Sequence, residues 1–373
     1  MKVLYLSITS EIGGADLAML RTVRELDRSR FAPVVALPGE GPLVEAFREA
    51  GAETVFFPMR RLRRTLNPLW HLSYCLAFRG TCRRIAEFAR KSGVGLVHTN
   101  SLPNIYGGPV ARLAGVPHVW EVREIDLRPR VVRRWLVRRA LRGADRIVAM
   151  SRTIADALFP GEEENVSVVY GSVDLEKYRP DPAAGRALRE RFGLEPGAPL
   201  AGIWCRFDEW KGLPVAIEAA GELAREFPGF RLLVAGGPTA GHERYAEDLR
   251  ALAESASPGA VVFTGWLEPA GIPGFVAGLD VAVHASTSPE PFGLVIAEAM
   301  AAGTPLVAPR IGSPLELVAD GVDGLLYPAG DPGGLAAAAG RLLGDRKLAA
   351  ECAAAGRAKA EKLFDVKLNV RRI

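Results

Sequence analysis

Residues 281–308 read Val-Ala-Val-His-Ala-Ser-Thr-Ser-Pro-Glu-Pro-Phe-Gly-Leu-Val-Ile-Ala-Glu-Ala-Met-Ala-Ala-Gly-Thr-Pro-Leu-Val-Ala. An apolar run at 281–284 predicts a strand, and 305–308 predicts the next one. Between them a helix is expected from about Leu294, ended by Gly303 with Pro305 beyond it. Apart from Glu298, residues 294–302 are all apolar, so this helix should be buried on nearly every side. Strand, buried helix and strand in succession form the unit of a parallel sheet covered on both faces.

The same rhythm runs through the chain. Further strands are expected at 2–7, 33–37, 54–58, 95–99, 118–122, 146–150 and 166–169, then at 200–205, 231–235, 261–264 and 324–327. These are too many for one open sheet, and 373 residues exceed one ordinary core. Two doubly wound, Rossmann-like α/β domains facing across a cleft are therefore expected. Pro180, Pro182, Pro196 and Pro199 mark a linker without strand signal. The expected division is residues 1–175, a linker at 176–199, and a second domain at 200–354, with the helical tail 355–373 a candidate to pack back on the first.

The composition, 49% hydrophobic and 24% charged, is that of a globular protein. The N-terminus reads as a first strand rather than a signal peptide, and no apolar run approaches the roughly 18 residues of a spanning helix. Cys75, Cys82, Cys205 and Cys352 show no CxxC spacing, which favours buried thiols of a reducing cytoplasm over bridges or zinc ligands. Basic residues concentrate in the first half, at Arg60, Arg61, Arg63 and Arg64 and in the segment 128–142. There Val131, Val132, Trp135, Leu136 and Leu141 interleave with seven arginines. Such a helix suits an anionic lipid surface, or is a solvated face with no partner. Nucleic acid is not expected, because no recognised binding module is present.

Candidate functional residues follow the ends of predicted strands, where open α/β sheets bind ligands. Pro289 and Pro291 stiffen the turn that presents Glu290, and Gly293 lets a ligand approach the backbone. Glu298, alone in an apolar helix, needs hydrogen-bond donors. A sugar diol would supply them, as would donors within the core. The amides of Gly293 and Leu294 could receive a phosphate. Arg206 and Lys211 precede a helix and could neutralise a diphosphate, although Arg206 could equally pair with Asp208. Gly13 and Gly14 follow the first strand, but form neither GxGxxG nor a Walker sequence. Gly236, Gly237, Gly265 and Leu267 stand at turns beside a nucleotide or merely punctuate strands. Asn100, Glu121 and Arg123 would be the polar lining of the first domain. His98 and His284 are as readily core histidines as catalytic ones. No metal-ligand spacing, DxD triplet or GxSxG elbow occurs, so no obligatory metal or cofactor is expected.

Together these residues resemble the family 4 retaining glycosyltransferases of GT-B fold, over essentially the whole chain. The likeness rests on Gly-Gly-Ala-Asp at 13–16, Leu-Val-His-Thr-Asn at 96–100, Val-Trp-Glu-Val-Arg-Glu-Ile at 119–125 and Tyr-Gly-Ser-Val-Asp at 170–174. Arg206, Lys211, Phe-Thr-Gly-Trp at 263–266 and the pair Glu290 and Glu298 continue it. The resemblance implies a nucleotide diphosphate sugar as co-substrate, held mainly by the second domain. Glu298 would hold the ribose, Arg206 and Lys211 the diphosphate, and Glu290 the donor sugar. Phe292, Gly293 and Leu294 would lie near sugar and phosphate, Gly265 and Leu267 near the base, and Gly14 would reach the diphosphate. It implies retention of anomeric configuration by front-face attack, without an enzymic nucleophile. Many relatives carry His at the positions of Arg123 and Glu121, which suggests a different acceptor or donor group.

The expectation is a cytoplasmic glycosyltransferase, peripheral at the inner membrane face, acting on a saccharide or lipid-linked acceptor in surface-polysaccharide assembly. Two rivals stay open: a nucleotide-sugar epimerase of the same fold, and a non-catalytic nucleotide-sugar-binding protein.

Overall fold

The apolar runs become thirteen strands among the described residues, which in this computed structural model are all but 12, 63–66, 163 and 240. The first sheet contains β1 (Lys2–Leu6), β2 (Ala32–Leu37), β3 (Glu53–Phe56), β4 (Val94–Asn100), β5 (His118–Val122), β6 (Arg146–Ala149) and β7 (Val166–Val168). The second contains β8 (Leu200–Trp204), β9 (Arg231–Ala235), β10 (Val261–Gly265), β11 (Val281–Val283), β12 (Leu306–Pro309) and β13 (Leu325–Tyr327). Their spatial orders are β3-β2-β1-β4-β5-β6-β7 and β10-β9-β8-β11-β12-β13, with every pairing parallel.

Strand alternation decides what each face buries. Leu4, Leu6, Val34, Ala36 and Val97 pack under Cys82, Ile85 and Ala89 of helix Pro68–Lys91 and Val110 of helix Gly107–Ala114. Val3, Tyr5, Val35 and Leu37 turn to the other face, against Met19, Leu20 and Val23 of helix Gly14–Arg24 and Phe47 of helix Pro42–Glu49. In the second sheet Ile203, Val234, Val283 and Val307 meet Leu213, Ile217 and Ala220 of helix Leu213–Glu226. Each fully buried Val, Leu, Ile, Phe or Met side chain among these contributes about 1.5–3 kcal/mol.

The helix predicted around Glu298 spans Leu294–Ala302. Gly293 at its start and Gly303 at its end both have left-handed backbone, and Thr304 N–H donates to Ala299 O over 3.0 Å, closing the last turn.

The chain divides into one unit of Met1–Tyr170 with Val366–Ile373, and a second of Gly171–Asp365. The expected linker, 176–199, thus goes with the second unit, and it contains the helix Ala184–Arg191. Specific bonds explain this grouping. Val173 N–H donates to Phe364 O over 2.8 Å, Tyr178 O–H donates to Glu298, and Arg357 donates to Tyr178 O over 2.9 Å. The helix Arg346–Leu363 also stays with the second unit. Only Val366–Ile373, shorter than the expected 355–373, joins the first.

In both sheets the order runs outward in two directions from a central pair, β1 with β4 and β8 with β11. Loops after those strands turn to opposite faces and leave room beyond the carboxyl ends.

Candidate active site

In the second unit the loops after β8 and β11 meet. Lys211 ends the short 3-10 turn Glu209–Lys211, and its Nζ stands 2.6 Å from Glu290 Oε1. Gly212 lets the turn sit so close. Its φ is +67°, and a Cβ there would fall 1.9 Å from the Ala285 carbonyl oxygen. Two other donors converge on Glu290 Oε1: His284 Nε2 at 3.1 Å and the Ser286 hydroxyl. Burial alone would push this carboxyl up. The charge and hydrogen bond of His284, then those of Lys211, overcome it and hold Glu290 well below the usual carboxylate range.

The other oxygen, Oε2, has no hydrogen-bond partner among the described residues. It lies 3.8 Å from where a Gly293 Cβ would stand, as does His284 Nε2. The N–H groups of Gly293 and Leu294 also lack an acceptor among the described residues. A fixed anion with an unused oxygen therefore adjoins two free donors at a helix start, an arrangement suited to a polyol bearing a phosphate.

Several of the remaining candidates have protein partners. Glu298 is buried, accepting from Tyr178 O–H at 3.0 Å and Trp204 Nε1 at 2.7 Å, so core donors satisfy it. Arg206, with 56% of its side chain exposed, pairs with Asp208 at 2.6 Å. Gly236 has a φ of +127°, and a Cβ there would fall 1.9 Å from the Cys205 carbonyl oxygen. Gly236 N–H donates to Gly265 O over 2.9 Å, and Gly237 lies against the exposed Trp266 indole. These glycines knit together the loops after β8, β9 and β10. Gly265 has open space around its Cβ position, and Leu267 is half-buried. Phe292 is buried edge-on against Phe364.

In the first unit Arg123 Nε donates to Asn100 Oδ1 over 2.9 Å, and its terminal nitrogen pairs with Glu121. His98 Nε2 stands 3.7 Å from Glu121 Oε2, beyond hydrogen-bond distance, and both ring nitrogens of His98 are buried without a hydrogen bond. Burial, reinforced by the Arg123 charge, pulls His98 down to about 3, so the ring is neutral. Burial and the nearby Glu124 raise Glu121 against the opposing pull of Arg123. Gly14 opens the helix Gly14–Arg24 with free space around it.

Sequence reasoning did not join His284 and Ser286 to Glu290, nor Tyr178 and Trp204 to Glu298. The i, i+2 spacing of His284 and Ser286 at a strand end was a usable signal. Tyr178 and Trp204 stand 120 and 94 residues from Glu298, a separation no local pattern reveals. Of the basic clusters, Arg60 N–H donates to Tyr106 Oη over 2.9 Å and Arg61 Nε reaches Ile8 O at 3.4 Å. Arg63 and Arg64 lie outside the described residues. All four cysteines are free. Cys82 and Cys352 are buried, and Cys75 is exposed rather than buried because it lies on the outer side of its helix. Among the described residues no helix is long and apolar enough to cross a membrane.

Comparison with known proteins shows the family. Residues 13–170 match the glycosyl transferase 4-like domain, and 186–359 match glycosyl transferases group 1. The D-inositol 3-phosphate glycosyltransferase of Acidothermus cellulolyticus is 36% identical over 208 residues, 54% of this chain and 46% of that protein. The chain thus spans about half the length of that relative. The GDP-mannose-dependent alpha-(1-6)-phosphatidylinositol monomannoside mannosyltransferase of Mycolicibacterium smegmatis is 32% identical over 265 residues, 67% of each chain. Anabaena HepE, solved in complex with UDP-glucose, superposes with a TM-score of 0.82 at 27% identity, covering 100% of this chain and 98% of HepE. The chain belongs to the family 4-like glycosyltransferases of GT-B fold.

Proposed function

We propose that the protein is a retaining hexosyltransferase that takes a sugar from a nucleotide diphosphate donor and needs no metal or other cofactor. The observation that carries this is Glu290, kept ionised by Lys211 and His284 while Oε2 stays unpartnered beside Gly293. In this reading Oε2 accepts a donor-sugar hydroxyl, and the Phe292, Gly293 and Leu294 backbone takes the adjoining phosphate. Lys211 and Arg206 offset the charge that builds on the departing diphosphate. Glu298 holds the ribose, Gly236, Gly237, Gly265 and Leu267 border the base, and Gly14 assists at the diphosphate. HepE, crystallised with UDP-glucose, supports a UDP-sugar as the first donor to try.

A panel of UDP-, GDP- and ADP-sugars in a thermal-shift assay tests donor binding, since a ligand at 100 times its Kd stabilises by about 2.7 kcal/mol. Absence of any shift, or full transfer by Glu290→Gln, would refute the proposal. The anomeric proton coupling of the product decides retention.

The acceptor is proposed to rest on the first unit near Asn100, Glu121 and Arg123, and to be a saccharide or lipid-linked saccharide of surface-polysaccharide assembly. Peripheral attachment at the inner membrane face fits the basic helix Arg130–Gly143. Leu69, Leu72 and Leu76, exposed on one face of helix Pro68–Lys91, would insert beside it. Flotation with anionic vesicles, repeated after replacing Arg133, Arg134, Arg138 and Arg139, tests this. Unchanged flotation, or none from the start, removes it.

A further inference from the structure

The helix Arg130–Gly143 carries Trp135, Arg138, Arg139 and Arg142 at i, i+3, i+4 and i+7, one continuous face. That face borders a cavity of about 360 Å³ whose opposite wall includes Arg112 of helix Gly107–Ala114, with Trp120 behind. The two helices approach closely because both carry glycine there: a Cβ on Gly108 would stand 3.1 Å from the Gly143 carbonyl oxygen.

Four arginines thus line one cavity. None of the four has a carboxylate partner among the described residues, and no Asp or Glu lines the space. Arg139 is fixed between the rings of Trp135 and Phe78, at 5.5 and 5.7 Å from their centroids, and its Nε is buried without a hydrogen bond. Burial first, and the Arg112 charge in addition, pull it down from the usual arginine range. Like charges held together without counter-charge, one with an unused buried donor, form a site for an anion.

We infer that this cavity, wholly within the first unit, binds the phosphate group of a phosphate ester. A phosphate monoester brings a charge near −2 and three strong acceptor oxygens, which match several guanidinium forks better than one carboxylate does. The cavity takes a phosphate and the first atoms of its alcohol, not a folded partner. The ester is either soluble or the headgroup of a lipid, and the exposed Val131 and Val132 one turn away suit the second source. The site does not rest on the donor reading, so either can fail without the other.

Calorimetric titration of the full chain with glycerol 3-phosphate, and flotation with vesicles of phosphatidic acid in phosphatidylcholine, both phosphate monoesters, distinguish the sources. The site variant is Arg138→Gln with Arg142→Gln. The control, Arg225→Gln with Arg341→Gln, removes equal charge from exposed positions of the second unit. Circular dichroism checks that both fold. The site variant should weaken whichever probe binds by at least about tenfold, roughly 1.4 kcal/mol. The control should stay within about threefold. Binding of glycerol 3-phosphate identifies a soluble ester, and binding of vesicles alone a lipid headgroup. If neither probe binds, or both variants weaken binding equally, the cavity is not a phosphate site and diffuse charge accounts for any attraction.

Discussion

Replacing Lys211 by Met tests whether the Lys211 and Glu290 pair is one electrostatic unit. The charges are 2.6 Å apart, with 16% and 6% of their side chains exposed. At an effective dielectric of 20 the gross attraction is about 6 kcal/mol, much of it offset by desolvation. Breaking a buried pair by removing one partner costs about 3–5 kcal/mol, because the other charge is left uncompensated. Here His284 and Ser286 still hold Glu290, so about 2–3 kcal/mol is expected for Lys211→Met, whose side chain keeps the apolar stem. Glu290→Gln should cost about as much. The double variant leaves no orphan charge, so it should cost at least about 1.5 kcal/mol less than the two singles added together. Native-state hydrogen exchange on peptides from β8 and from helix Leu294–Ala302 measures each value. Acid adds an internal check. Glu290 has its folded pKa depressed, so its stabilisation is present above the ordinary carboxylate pKa and is lost as pH falls below it. Glu290→Gln should lack that acid loss. A coupling below about 0.5 kcal/mol would refute the reasoning, since the pair would then be two independent contacts.

Three further outcomes are expected. Arg206→Ala should change stability by less than about 1 kcal/mol, because its pair with Asp208 is exposed, yet weaken binding of whichever nucleotide sugar gives a thermal shift roughly tenfold in a titration; equal affinity would remove Arg206 from the proposed donor site. Gly236→Ala should cost more than about 2 kcal/mol in urea unfolding, since a Cβ would meet the Cys205 carbonyl oxygen at 1.9 Å with φ at +127°; a loss under 0.5 kcal/mol would contradict that packing. His98, held at about 3 in the folded protein, refuses a proton that the unfolded chain accepts below about 6.5. Stability should therefore fall as pH drops from about 6.5, by up to about 1.4 kcal/mol per unit, and His98→Gln should flatten this slope between pH 7 and 5; identical slopes would show that His98 is protonated in place.

The central strands were legible because they are buried on both faces, and a buried parallel strand writes itself as an apolar run. Leu200–Trp204 and Arg231–Ala235 are cases where the pattern needs no partner to be read. The loop carrying Glu290 was legible for a local reason too, two prolines around one acid. The boundary was not, since the tie of Val173 to Phe364 joins segments far apart in sequence. Glu298 shows a similar limit: the residue type was readable, while its partners Tyr178 and Trp204 were not, whereas the pair of Arg206 with Asp208, two residues apart, was one of the two readings open locally.

The meeting of Lys211 with Glu290 lies between these cases, and topology resolves it. β8 and β11 are the adjacent parallel strands at which the sheet order reverses. Lys211 stands seven residues past Trp204, the end of β8, and Glu290 seven past Val283, the end of β11. Equal lengths of chain leaving neighbouring strand ends bring a cation and an anion to the same height above the sheet. Gly212 removes the steric bar to their contact. Strand order converts two separately legible residues into a pair, and the same count explains why Arg206, two residues past its strand, finds Asp208 instead of Glu290.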